Sequence, residues 1–88
     1  MFEAVQFIEY RDKPEPEETL LGDFELETDP VEVARRKREQ FLASGADEYA
    51  WWVVRNKGAR LANFIADSKS DKEFVLDLRT GEVVEVER

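Results

Sequence analysis

The chain has 88 residues, 39% of them charged, with 21 acids against 13 bases and a net charge of −8. That length builds one hydrophobic core and one domain, 1–88, and so acidic a chain disfavours the phosphate neutralisation on which direct nucleic-acid binding depends. Cysteine and histidine are both absent, which removes disulfides, thiolate metal sites, the commonest general base and the commonest metal ligand.

The charge is unevenly placed. Glu9–Glu32 holds ten acids against Arg11 and Lys13, whereas Val33–Arg88 is nearly balanced, with ten acids and eleven bases. The start, MFEAVQFIEY, lacks the basic and apolar regions of a signal peptide. The unbroken apolar run Ala50–Val54 is far shorter than the roughly 20 residues that span a bilayer. The expectation is a cytoplasmic protein that does not enter membranes.

Phe2–Tyr10 reads as a strand with Phe2, Ala4, Ile8 and Tyr10 on one side and Val5 and Phe7 on the other. Residues 11–19, RDKPEPEET, read as a mobile acidic loop, since two prolines block a strand ladder. Leu20–Glu27 reads as a second strand, with Phe24 and Leu26 inward and Asp23, Glu25 and Glu27 outward.

Thr28–Gly45 is the single helix. Asp29 is the expected N-cap, Pro30 suits the first helical position, and Glu32 completes a capping box. Gly45 supplies a left-handed end. Val31, Ala34, Phe41 and Leu42 form one apolar stripe, with Arg38 inside it, running along the core edge or aimed at an acidic partner.

Glu48–Arg55 and Ala59–Asp67 then read as a hairpin joined by Asn56-Lys57-Gly58, a three-residue loop closed by a left-handed glycine. This turn pairs Val53 with Leu61, Trp51 with Asn63 and Tyr49 with Ile65, and it puts Ala50, Trp52, Val54, Ala62, Phe64 and Ala66 on the other face. Glu73–Leu78 and Glu82–Glu87 form a second hairpin through Arg79-Thr80-Gly81. Its expected faces are Phe74, Leu76, Leu78, Val84 and Val86 against Val75, Asp77, Val83, Glu85 and Glu87. Asp77–Glu85 resembles one blade repeat of quinone-enzyme-type propellers, but a single copy closes no propeller and the segment is read as turn chemistry. The fold class is α+β: two layers, with a mostly antiparallel sheet of about six strands, in the order β-β-α-β-β-β-β, packed on one helix.

Chemistry-bearing motifs are thin. The run Arg35-Arg36-Lys37-Arg38 spreads over about 300° of a helix and forms no single basic face. It reads as a solvated surface in which Glu32 pairs with Arg35 and Arg36, and Arg35 with Glu39. A calcium loop starting at Asp67 needs an oxygen ligand, a glycine and a glutamate where the chain has Lys69, Lys72 and Leu78. No nucleophile–base pair or glycine-rich phosphate loop is present, so neither a cofactor nor a small-molecule ligand is evident and the chain reads as non-enzymatic.

A helix of this length covers one face of about four strands. The other face, with Tyr49, Trp51, Val53, Leu61, Asn63 and Ile65, is the candidate interaction surface. The leading expectation is a protein-binding or self-associating module, most simply a homodimer. One alternative is an acidic decoy, of the kind a phage encodes, that occupies a basic protein site through Glu15, Glu17, Glu18, Asp23, Glu25 and Glu27. Another is a small metal-dependent hydrolase using Asp67, Asp71, Glu73 or Asp77.

Overall fold

A computed structural model describes residues 1–56, 62–70, 72–77 and 79–86. Its elements are β1 (Phe2–Glu9), β2 (Glu17–Phe24), α1 (Thr28–Ala43), β3 (Tyr49–Asn56), β4 (Ala62–Asp67), β5 (Glu73–Leu76) and β6 (Val83–Glu85). The strands form one sheet in the order β2-β1-β3-β4-β5-β6, and every neighbouring pair is antiparallel. The α+β reading therefore holds. β1 is antiparallel to both β2 and β3, so those two are parallel to each other and α1 is the crossover that passes over β1. No helix of the described residues is long and apolar enough to cross a membrane.

The core lies between α1 and one face of the sheet. Ala34 from the helix and Ala50, Trp52, Val54, Phe64 and Ala66 from β3 and β4 are buried together, with Phe2, Ile8, Leu21, Val31, Phe41 and Val75 packed around them. The three alanines leave room for Trp52, which is 0% exposed. Its indole Nε1 donates to Gln6 Oε1 at 3.0 Å, so the one polar atom of the ring is satisfied. Phe41 meets the same ring edge-on, with centroids 5.5 Å apart.

Two arginines of the basic run hold the helix to the sheet. Arg35 reaches the carboxylate of Glu73 with two nitrogens, the closer at 2.9 Å, and its guanidinium lies 5.6 Å from the centre of the Phe64 ring. Glu73 is 2% exposed, whereas the Arg35 side chain keeps 35% of its surface in solvent. The expected Glu32 and Glu39 partners are superseded, because a buried carboxylate is a stronger claimant than an exposed one three or four residues away. Arg38 donates to the main-chain carbonyls of Asp67 and Ser70, capping the end of β4 rather than meeting an acid.

Several local features differ from the sequence expectations. The helix starts with Glu27 as its N-cap, with no side-chain capping bond, and Asp29 sits in the first turn. Pro30 is buried at the third helical position, where its missing N–H costs nothing because the first N–H groups of a helix have no partner within it. Leu42 and Leu26 are exposed rather than inward. β2 begins at Glu17, so Glu17–Thr19 are strand and pair with Ile8, Phe7 and Gln6. An irregularity opposite Ala4 and Val5 leaves Leu21 without a partner in that ladder and turns it into the core.

Register also differs. Val53 pairs with Ile65, Trp51 with Asp67 and Val54 with Phe64, replacing the expected Trp51–Asn63 and Tyr49–Ile65 pairs. This arrangement sets the bulk of Trp52 against Ala66, large against small. As far as Val54 the displacement is four residues, an even number, so those side chains keep their predicted faces, but an irregularity between Val54 and Arg55 pairs Ala62 with Arg55 and moves it away from the face of Trp52 and Phe64. Asn56, expected in the turn, is the last residue of β3 and pairs with Phe2, while Lys57, Gly58 and Leu61 lie outside the described residues. In the last hairpin Leu76 pairs with Val83 and Val75 with Val84, one residue from expectation. The cause is the Asp77 side chain: its Oδ1 accepts from the Arg79 N–H, while the Gly81 N–H donates to the Asp77 carbonyl. Gly45 ends the helix at φ 75° and Gly81 turns the hairpin at φ 76°.

Replacing Arg35 by Met is expected to cost about 2 kcal/mol in urea unfolding, because it removes the guanidinium from beside the buried Glu73 carboxylate; Glu73→Met leaves a solvent-reachable guanidinium and is expected to cost about half as much or less. Equal losses would show that the asymmetry of burial does not govern the pair. Gly81→Val, forced to positive φ, is expected to cost roughly 1 kcal/mol or more in the same assay.

Candidate functional site

Strand alternation and the observed pairings define the face turned away from α1. It carries Leu20 on β2, Val5 and Phe7 on β1, Tyr49, Trp51 and Val53 on β3, Ile65 on β4, Phe74 on β5 and Val83 on β6. α1 contacts β1, β2, β3 and β4 from the other side, and no other described helix or strand lies over this one. The centre is aromatic. Phe7 stacks on Trp51 with centroids 5.2 Å apart and planes 7° from parallel, and Tyr49 stands 5.5 Å from Trp51 on its other flank. Val5 and Val53 are shielded at 0% and 8% exposure, so the floor of the face is dry. Leu20 and Val83, at its two edges, are exposed.

The rim is charged. Arg55 bridges Glu3 at 3.4 Å and Glu18 at 3.1 Å, linking β3, β1 and β2 at one end of the strands. Lys72 pairs with Glu85 at 3.7 Å on the β5–β6 side. At the other end the Tyr49 phenol is close enough to the carboxylates of Asp67 and Glu9 to feel their charge. Desolvation, then the Asp67 charge and hydrogen bond, then Glu9, all push the Tyr49 phenol above the usual tyrosine range. Among the described residues around this face, acids outnumber bases: Glu3, Glu9, Glu18, Asp67 and Glu85 against Arg55 and Lys72.

Of the residues singled out from sequence, Tyr49, Trp51, Val53 and Ile65 share this face. Asn63 is 2% exposed and so offers no contact area, and Leu61 lies outside the described residues. Phe7, Phe74 and the Arg55 bridge were missed. Alternation sets Phe7 beside Val5, away from Ala4 and Ile8, but only the β1–β3 pairing brings it to Trp51. The acidic set Glu15, Glu17, Glu18, Asp23, Glu25 and Glu27 is exposed throughout but does not converge. Glu17 pairs with Lys13 at 3.0 Å and Glu18 with Arg55, on opposite sides of β2.

The hydrolase reading meets a conflict. Glu73 is bound to Arg35, and the Oδ1 atom of Asp67 accepts from the N–H groups of Lys69 and Ser70. Asp71 is outside the described residues, and among the described ones no group of three or more acids is placed to hold a metal ion. Two hollows open at the ends of the strands. One, of about 580 Å3, lies between Tyr10–Asp12 and Asp47–Tyr49; the other, of about 330 Å3, is reached by Asn63.

Because the Tyr49 phenol is held neutral by its surroundings, its folded value lies above its unfolded value near 10. The associated stability is complete below pH 10 and is lost as pH rises through the folded value. Tyr49→Phe is therefore expected to flatten the alkaline fall in stability above pH 10, measured by unfolding at stepped pH. An identical fall in the variant would count against the Asp67 contact. No protein-family model matches the chain, and neither does any curated protein or solved structure.

Proposed function

We propose that the protein is a non-enzymatic protein-binding module whose contact surface is the sheet face opposite α1. The observation that carries this reading is the Phe7–Trp51–Tyr49 aromatic run on a face that no described helix or strand covers. Aromatic side chains with few rotatable bonds dominate interface energetics, and monomers seldom leave such a continuous apolar patch in water. The acidic rim favours a partner that presents apolar side chains flanked by Lys and Arg. A second copy of the chain meets the repulsion of two −8 bodies, which disfavours the homodimer. The reading takes the protein as cytoplasmic, in keeping with its lack of cysteine.

The test pairs sedimentation with affinity capture. Wild-type protein is expected to sediment as a monomer and to retain a basic protein that high salt releases, and Trp51→Ala is expected to weaken that retention by about 10- to 100-fold. Circular dichroism serves as the control for folding. Equal retention by folded Trp51→Ala overturns the reading. A wild-type dimer that Trp51→Ala converts to monomer would instead make a second copy the occupant of the face.

A further inference from the structure

The sheet ends in two edge strands, β2 and β6. β2 is guarded: an irregularity breaks its ladder with β1, Pro16 stands just before it, and Glu17, Glu18 and Asp23 charge it. Breaks, prolines and charges of this kind keep an edge from recruiting another strand. β6 has only Glu85 as a guard, and its register with β5 is unbroken. Val83 and Val84 lie on opposite faces of the sheet and are 62% and 51% exposed. α1 does not reach β5 or β6, so neither valine has cover from the helix.

The main chain of β6 is used on one side only. The Val86 N–H donates to the Glu73 carbonyl, and the Asp77 N–H donates to the Glu82 carbonyl. An antiparallel ladder bonds alternate residues, so Glu82, Val84 and Val86 turn their main-chain groups to β5, while Val83 and Glu85 turn theirs outward. Among the described residues no strand pairs with that outer side.

We propose that β6 takes up an extended segment of a partner protein as a further antiparallel strand. The main chain of Val83 and Glu85 supplies the hydrogen bonds, and the side chains select the segment. Along the segment from its N-terminal side, the residue opposite Glu85 is Lys or Arg. The next two, opposite Val84 and Val83, are apolar and β-branched. Lys72 stands 3.7 Å from Glu85 with both side chains about half exposed, a loose pair that leaves the carboxylate open to a second cation, and Glu82 adds to the charge beside it. A second copy is the poorer occupant, because it brings its own charge of −8 to the same edge. The site goes beyond the aromatic face and does not depend on it, since Phe7, Tyr49 and Trp51 lie on β1 and β3.

The full chain, labelled with nitrogen-15, would be titrated with the peptide acetyl-Val-Lys-Val-Ile-Lys-amide and followed by NMR and amide hydrogen exchange. Saturable shifts over Val83–Glu85 are expected, with slowed exchange of the Val83 and Glu85 N–H groups. The same peptide N-methylated at its first Lys and at Ile keeps every side chain but loses the two N–H groups that face β6, and it is expected to bind about tenfold more weakly. Equal binding of the two peptides, or shifts that centre on Trp51, overturns the proposal. Val83→Pro removes an outward N–H without touching the β5 ladder, and it is expected to abolish the protection at Glu85 while circular dichroism stays native. Glu85→Lys is the second variant and is expected to weaken binding several-fold. Unchanged affinity in either folded variant overturns the proposal. Trp51→Ala is expected to bind the peptide as the wild type does, so the aromatic-face reading and this one fail separately; loss of peptide binding by folded Trp51→Ala removes β6 as the site. Protection of Val83 and Glu85 that rises with protein concentration in the absence of peptide makes a second copy the occupant and overturns the proposal.

Discussion

A sixteen-residue helix is about 24 Å long and strands lie about 4.8 Å apart, so α1 covers about four strands on one face and no more. The contacts follow that arithmetic: α1 touches β1 to β4 and leaves β5 and β6 to the sheet alone. Every later feature of the molecule follows from this shortage of cover. The side under the helix is mostly apolar, from Ala50 to Ala66, with Gln6 and Glu73 as polar members that are hydrogen-bonded to Trp52 and Arg35. The far side must shield itself. Val5 and Val53 are kept dry by neighbouring side chains, and Phe7 lies flat on Trp51 instead of standing up into water. Aromatic stacking within the sheet thus does part of what a second helix would do, at the cost of leaving ring faces and edges toward solvent.

The helix itself is a weak amphipath, because Arg35 and Arg38 fall on its inward side. Their use explains how it is held. Arg35 carries a charge to the buried Glu73 at the start of β5, and Arg38 supplies donors to the carbonyls of Asp67 and Ser70, where the β4 ladder runs out. Both side chains run along the core edge with their aliphatic stems and satisfy groups that the short helix cannot cover with hydrocarbon. A basic run that looks in the sequence like a surface for anions therefore divides. Arg36 and Lys37 remain exposed, and the flanking pair is structural.

Much of this fold was legible because its signals are local. Alternation placed β1 and β3, Gly45 marked the helix end, and Gly81 marked a turn, each through backbone chemistry that a few residues decide. The candidate face was legible for a related reason: a register error of four residues preserves the side on which Tyr49, Trp51 and Ile65 lie. What escaped depends on residues far apart in the chain. Nothing near Arg35 points to Glu73, 38 residues away, and nothing near Trp51 points to Phe7. The last hairpin slipped by one residue because the Asp77 side chain takes a backbone donor, an option that counting turn residues does not weigh. There an odd shift did exchange faces, moving Val83 to the open side and Val84 to the helix side.

The apolar and acidic parts of the surface act on different scales. Charges on the rim are felt over about one Debye length, ~8 Å at physiological salt, so under the proposed function they would act on a partner during approach. Rings at the centre act only on contact, so they set how long it stays. Arg55 prevents the rim from being uniformly acidic. By bridging Glu3 and Glu18 it neutralises the end of the face nearest β2, while Asp67 and Glu9 crowd the end at Tyr49. The field across the aromatic run is therefore polarised along the strands. For the basic partner proposed above, this would set a preferred direction, with its charge over Tyr49 and its neutral or mixed end over Arg55. A face of aromatic rings alone would bind with little orientation; the uneven rim gives this one a polarity along β3.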